Sequence, residues 1–346
     1  MKKKRTWIGL GISAVFLYLA FRKSDFGMIL NQVGQVNIWL TLASLPALFL
    51  AFWIRALRWR SLLLKSGKLP LNSVFGATMI GFMSLNILPF RIGDFIRAFA
   101  LSRRESLSTS AVFATIVIER LFDGFTLLAL MLLSLFFLPV PLKPGVVTWV
   151  RAFSYLGAAI YLLSLTVVLL IIFRRFFIVR LTEKLFSPLP RIRRKAVNLI
   201  ETFAMGLTTI NSVKLFLIIL FYSVLVWIFS ALYYWVVMFG FKSPGGLNLG
   251  VQIGFTGSFF VLGVVALSIM IPAGPGFVGT FELACIMAVG ALGASGSMAQ
   301  SYAILSHALQ FVSITLAGII YLYIQHFSFR EIQASGEAAE EKLDKE

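Results

Sequence analysis

The feature that most limits how this chain can fold is the recurrence of apolar runs of about 20 residues, the length that carries a helix across roughly 30 Å of hydrocarbon. The clearest runs are Thr6–Phe21, Ile38–Ile54, Ser110–Leu138, Ala152–Phe173, Val213–Phe239 and Tyr302–Ile324. Hydrophobic residues make up 59% of the 346 and charged residues 13%, against roughly 25% charged in soluble domains. A water-soluble core cannot hide that much apolar surface. The expectation is an all-α, polytopic membrane protein.

The charges assign the sides. A net charge of +17 on a soluble protein would suggest nucleic acid, but membrane proteins concentrate Lys and Arg in their cytoplasmic loops. The basic stretches are Lys2–Arg5, Arg55–Lys68, Arg103–Arg104 and Arg174–Lys195. Arg22, Lys23, Lys143, Arg151 and Lys242 are the sparse basic residues between the other spans. Placing the rich stretches inside puts both termini in the cytoplasm of a cell (inner) membrane. The start resembles a secretory signal but runs into Leu19-Ala20-Phe21-Arg22 without a small-x-small cleavage site, so an uncleaved first helix is expected. The single cysteine, Cys285, excludes an intrachain disulfide, and His307 and His326 have no neighbouring ligands in sequence, so no metal or cofactor is expected.

Two further apolar segments, Ser73–Ala100 and Val251–Val289, are interrupted by proline and glycine. The charge pattern makes the first enter and leave from the inside and the second from the outside. Each is a re-entrant hairpin or a broken crossing pair, and the short first one favours the hairpin. Their breaks share a pattern, Pro89-x-x-x-Gly93 and Pro272-x-x-x-Gly276, the latter with Gly274 and Pro275 between. The same offset separates the two prolines and the two glycines, and brings the flanking spans close to register. Repeat one then covers about 38–138 and repeat two about 213–324, with opposite orientation, as in many secondary transporters. Broken helices free backbone N–H and C=O groups, tolerable only beside protein or a watery cavity, and a half-helix start favours an anionic guest. Between the repeats, 174–212 reads as a basic amphipathic segment on the inner leaflet. Residues 331–346 form an acidic tail after a membrane domain spanning 1–330.

Ionisable residues at membrane depth are the functional candidates. Arg91, Asp94 and Arg97 follow the first break; Asp94 and Arg97, three apart, can pair, and Asp94 can instead cap the half-helix. Arg91 has no local partner and is left for a phosphate. Glu119-Arg120-x-x-Asp123 begins about ten residues into its span, about 15 Å deep at 1.5 Å per residue. Its excess of negative charge argues for a cavity-facing group over a self-neutralised packing knot. Glu282 is an isolated acid after the second break, a candidate counter-charge or proton acceptor. Arg55, with Arg58, Arg60, Trp53 and Trp59, closes the second span; most of this reads as an interface belt, with Arg55 deep enough to reach a lipid phosphate. His307 reads as a helix–helix hydrogen bonder.

At these residues, Arg55-Ala56-Leu57-Arg58-Trp59, Asn86-Ile87-Leu88-Pro89-Phe90-Arg91-Ile92-Gly93-Asp94 with Arg97, Glu119-Arg120 with Asp123, and Pro272-Ala273-Gly274-Pro275-Gly276-Phe277 with Glu282, the chain resembles the lysylphosphatidylglycerol synthase transmembrane-region family, often called flippase-like. The resemblance runs from about Trp7 to Arg330. It implies movement of a lipid between leaflets, with a separate soluble domain making that lipid in bifunctional relatives. The end at Glu346 leads to the expectation that this aminoacyl-transferase domain is absent and that the protein is not an enzyme. The expected partners are membrane lipids with an anionic headgroup phosphate, phospholipid or polyprenyl-phosphate, and a separate lipid-modifying enzyme; nucleic acid is not expected. The phosphate would meet Arg91, Arg97 and the half-helix starts at Gly93 and Gly276, and a cation or coupled proton would meet Glu119, Asp123 and Glu282. A membrane-embedded enzyme using Glu119 and Asp123 as acid and base is the alternative, without an accompanying nucleophile, metal cluster or nucleotide motif. A non-transporting scaffold for a synthase is the other.

Overall fold

The computed structural model describes residues 2–22, 24–64, 67–88, 92–138, 174–190, 212–242, 246–269 and 274–332, with isolated positions elsewhere. Pro89, Phe90, Arg91 and Pro272, and nearly all of the span expected at Ala152–Phe173, lie outside the described residues. Within them the regular structure is helical, apart from one isolated antiparallel bridge between Lys242 and Asn248.

The helices are α1 (Lys2–Phe21), α2 (Phe26–Gly34), α3 (Ile38–Leu42), α4 (Leu45–Leu62), α5 (Leu71–Ile87), α6 (Gly93–Arg104), α7 (Thr109–Ser134), α8 (Arg175–Leu185), α9 (Val213–Met238), α10 (Leu249–Ser268), α11 (Thr280–Ala291) and α12 (Gly296–Ile324). Their starts are written in short polar side chains that take up free backbone amides. Asp25 accepts from Met28 N, Asn37 from Trp39 N and Leu40 N, Ser212 from Leu215 N, and Asn248 from Gly250 N. By length and composition Ile38–Leu62, α9, α10 and α12 can each cross a membrane. Helix α7 is as long, at 26 residues, but holds Glu119, Arg120 and Asp123 at its centre.

Two helical hairpins organise the molecule. Helix α5 ends at Leu88, which is extended (φ −96°, ψ 145°), the conformation that a following proline imposes on the residue before it. Helix α5 starts at one end of α12, where Tyr321 Oη donates to Asn72 Oδ1 (3.1 Å) and Gln325 Nε2 to Ser73 O (3.3 Å). It climbs to the middle of α12, where Asn86 Nδ2 donates to Phe311 O (3.3 Å) and Thr315 Oγ1 (3.1 Å). Helix α6 returns to the starting end, where Arg103 meets Glu331 (2.9 Å) and lies over the Phe327 ring. The two arms approach closely because Gly81 faces Gly93 and Arg97; a side chain there would strike both.

The second hairpin hangs from the other end. Helix α10 runs antiparallel to α7, with Thr256 Oγ1 donating to Phe137 O (2.8 Å) and Gly263 against Met131. The chain breaks over Gly274–Gly279, where Gly274 N donates to Ser13 Oγ of α1 (2.9 Å), and α11 turns back. The long helices α4 and α9 lie antiparallel between the hairpins. Asn37 N reaches Gly240 O (3.0 Å) at one end and Arg58 Nη1 reaches Ser223 Oγ (2.8 Å) toward the other. One buried apolar core runs through all of these elements, from Ala47 and Trp59 to Phe260, Cys285 and Tyr302. Helix α8 stands apart in character, with Phe176, Phe177, Leu181 and Leu185 exposed beside its basic residues.

Candidate functional site

Helices α4, α6 and α7 bring together seven ionisable side chains. Glu119 is fully buried and accepts both fork bonds of Arg97, at 2.8 and 3.1 Å. Arg58, also fully buried, stands 3.2 Å from Glu119 and 2.7 Å from Asp123. Arg55 Nη1 donates to Asp123 Oδ2 (2.8 Å) and lies 3.9 Å from Glu119. Arg120 donates through Nε to Asp94 Oδ2 (3.0 Å), makes a second, shorter bond through Nη2, and reaches back to Asp123 at 3.3 Å. Four guanidiniums thus face three carboxylates, a net positive charge among the described residues.

Aromatic rings frame these charges. The Arg97 guanidinium lies 3.8 Å from the Trp59 ring centroid, a cation–π contact in a desolvated place. Trp59 Nε1 in turn donates to Thr115 Oγ1 on α7 (2.9 Å), which fixes the ring. The Phe82 ring, from the first hairpin, lies under both Arg55 (5.3 Å) and Arg120 (5.6 Å), and Trp227 of α9 lies near Arg55 (5.6 Å). Not every donor is used. Arg58 Nε and Nη2, Arg97 Nε, Thr126 Oγ1 and Trp227 Nε1 are buried without a hydrogen-bond partner. Arg58 Nη1 lies 2.7 Å from Asp123 Oδ1 as an ion pair and also donates to Ser223 Oγ of α9 (2.8 Å).

Several expectations change. Asp94 pairs with Arg120 of α7, and Arg97 with Glu119, because the hairpin packs α6 against α7 and offers each a stronger partner across the interface than along its own helix. Glu119 is fully buried, and its negative charge is balanced by arginines from α4 and α6 that sequence spacing did not place beside it. Arg55 is buried in an ion pair with Asp123. Arg58, read as part of an interface belt, is fully buried like Arg97; the signal was its position three residues from Arg55, on the same face of one helix. The open edge is elsewhere, at Arg120 and Asp94, whose side chains are 36% and 28% exposed.

The second break also differs from expectation. Gly276 sits in a short turn (φ 67°), and α11 begins only after Gly279, whose φ of 93° favours glycine. The start of α11 is occupied by its own carboxylate, since Glu282 Oε2 accepts from Gly279 N (2.6 Å). Glu282 Oε1 lies 2.6 Å from His307 Nδ1. His307 is a helix–helix hydrogen bonder, as expected. Gly276 comes close to Asn86 O, so the end of α5 meets the turn before α11 beside Phe311 of α12. Among the described residues no three His, Cys, Asp or Glu side chains gather as a metal site. A cavity of about 630 Å³ lined by Gln32, Gln35, Asn37, Trp39, Lys242 and Asn248 lies at the opposite end from the hairpin α5–α6, and none of the candidate residues lines it.

Residues 6–318 match the family described as the lysylphosphatidylglycerol synthase TM region. The chain belongs to this family. A search of the curated proteins finds no match. With family and apolar helices together, the protein is a multi-pass membrane protein of the lysylphosphatidylglycerol synthase TM region family. The match takes in both hairpins and the whole charge cluster, so the cluster belongs to the family's membrane region.

Proposed function

We propose that this protein moves a lipid with an anionic headgroup phosphate, a phospholipid or a polyprenyl-phosphate, between the leaflets of the cell (inner) membrane, with both termini in the cytoplasm. The observation that carries this reading is the buried cluster with one guanidinium in excess, opened to its surroundings at Arg120 and Asp94. A phosphate arriving there can take the fork of Arg120 from Asp94 by exchanging one bidentate partner for another. The deeper arginines then add attraction without having to leave Glu119 and Asp123. Arg91 lies in the tip of the same hairpin in sequence and is the natural second ligand.

The reading includes an inverted repeat, which helix lengths and crossings support. The lengths of α5, α6 and α7 (17, 12 and 26 residues) are echoed by α10, α11 and α12 (20, 12 and 29). The crossings are reciprocal: α7 packs on α10 at Met131–Gly263, and α12 packs on α5 at Gly318–Met83. In this reading the two hairpins are re-entrant and of opposite orientation, an arrangement suited to alternating access. Catalysis is disfavoured by the same geometry. Glu119 and Asp123 are held by arginines, which suits neither a general base nor a general acid.

The test is leaflet exchange in vesicles holding the purified protein and headgroup-labelled phosphatidylglycerol, read with an impermeant quencher. The parent should exceed protein-free vesicles, and Arg120→Gln should lose most of the gain. A parent no faster than protein-free vesicles with either phosphatidylglycerol or a polyprenyl phosphate overturns the reading.

A further inference from the structure

Away from the arginine cluster, the molecule buries a second pair of ionisable side chains. Glu282, in the first turn of α11, and His307, near the middle of α12, are both buried and 2.6 Å apart. The imidazole stacks on Phe281 (centroids 4.1 Å, 15°) and has Phe311 at its edge (6.2 Å). Through its other oxygen Glu282 holds Gly279 N, and so the turn at which α11 begins.

The difference from the arginine cluster is the counter-charge. Helices α5, α10, α11 and α12, which supply the break and most of its packing, contain no Lys or Arg and no acid other than Glu282. Helix α1 touches the break at Ser13, while its cations lie at Lys2–Arg5, and α9 has Lys214 at its far end. Among the described residues the remaining titratable groups around α11 are the Cys285 thiol and the phenols of Tyr233, Tyr234 and Tyr302, all neutral in ordinary conditions. Among the described residues the one cation that Glu282 can acquire is the imidazolium of His307. With a single proton on the ring the buried pair carries one negative charge; a second proton makes it a neutral imidazolium–carboxylate pair. A lone buried charge at this depth is strongly disfavoured, and imidazole is the side chain that takes up a proton near neutral pH.

We propose that Glu282 and His307 form a proton-binding site that fastens α11 to α12 when protonated, and that the proton is the coupling ion of lipid movement. The coupling rests on the translocator reading; the site does not. Loss of the proton leaves a negative pair that recruits water at Gly279, the point where α11 and the break are pinned.

Two measurements on the full chain test this. In lipid nanodiscs, with His326→Asn leaving one imidazole, the ring resonances of His307 should titrate. Glu282→Gln, which keeps an oxygen for Gly279 N, should lower the midpoint by about one pH unit or more, the usual effect of removing an adjacent opposite charge. No titration between pH 5 and 9, or an unchanged midpoint in Glu282→Gln, overturns the site. In vesicles holding labelled phosphatidylglycerol, an imposed pH gradient should change the parent's exchange rate several-fold and leave His307→Gln indifferent. A parent that moves lipid equally with and without the gradient overturns the coupling and leaves the translocator standing. A parent that moves no lipid while His307 titrates as expected overturns the translocator and leaves the proton site standing.

Discussion

Glu119→Gln is the substitution whose outcome the structure fixes most tightly. Glu119 is fully buried, takes both fork bonds of Arg97, and stands 3.2 Å from Arg58, which is fully buried as well. Neutralising it leaves the same guanidiniums enclosed with only Asp123 for counter-charge. With charge centres about 4 Å apart and an effective dielectric near 20, one such pair is worth about 4 kcal/mol. Breaking a buried pair by removing one partner costs about 3–5 kcal/mol, which agrees. At roughly 2–4 °C per kcal/mol, the melting temperature in detergent should fall by on the order of 10 °C. Adding Arg97→Gln to Glu119→Gln should recover part of that loss by removing the stranded cation. Asp94→Asn, at the open edge, should shift melting far less, because both partners are partly exposed there. The measurement is thermal unfolding of the four proteins in one detergent. If Glu119→Gln melts within about 2 °C of the parent, the cluster does not hold α4, α6 and α7 together and the reasoning fails.

Three further outcomes follow from other parts of the molecule. A methyl group at Gly318 would meet Met83 and come within 2.8 Å of Met79 O, so Gly318→Ala should force α12 off α5 and lower stability by about 1–3 kcal/mol in the same melting assay. In a Cys285→Ala background, Lys242→Cys and Arg104→Cys should label with an impermeant thiol reagent from opposite sides of the membrane; labelling from one side would sink the opposed orientation of the two hairpins. Beyond the last span, the Ser328 amide and then Arg103 hold the Glu331 carboxyl below its usual range. A lowered carboxylate contributes stability above its unfolded value and loses it as pH falls through the folded one. Hydrogen exchange at Ser328–Ile332 should therefore stay slow at pH 5 and quicken in stronger acid, and an exchange rate indifferent to pH, after correction for intrinsic chemistry, would refute the clasp.

The fold was legible wherever one helix answers to one stretch of sequence. Apolar length announced α7, α9 and the long helix ending at Leu62, and Pro89 announced the end of α5 by forcing Leu88 into an extended conformation. The bounds moved where polar residues continue a helix. The span expected to close at Ile54 runs on to Leu62, and α12 starts at Gly296, six residues before Tyr302. In both cases the surplus residues are buried by neighbouring helices, Arg58 and Trp59 by α7 and α9, Gln300 and Ser301 by α2 and the preceding loop. Hydropathy sees lipid and water, and has no measure of a third environment in which polar groups are satisfied by protein.

The site was legible as a set of residues and illegible as a set of pairs, and the reason is range. Local spacing can offer Asp94 only Arg97, three residues away, or an amide of its own helix. The partners actually taken are 26 residues distant for Asp94, 22 for Arg97 and 68 for Arg55. Counting Glu119, Arg120 and Asp123 alone suggested an excess of negative charge needing a cationic guest. Once α4 and α6 are folded against them the sign reverses among the described residues, which is why the proposed guest is an anion. Depth can therefore be read from one helix, whereas charge balance belongs to the assembly of several. By that rule Glu282, in the hairpin that brings no arginine, keeps the need for a cation that Glu119 has already met.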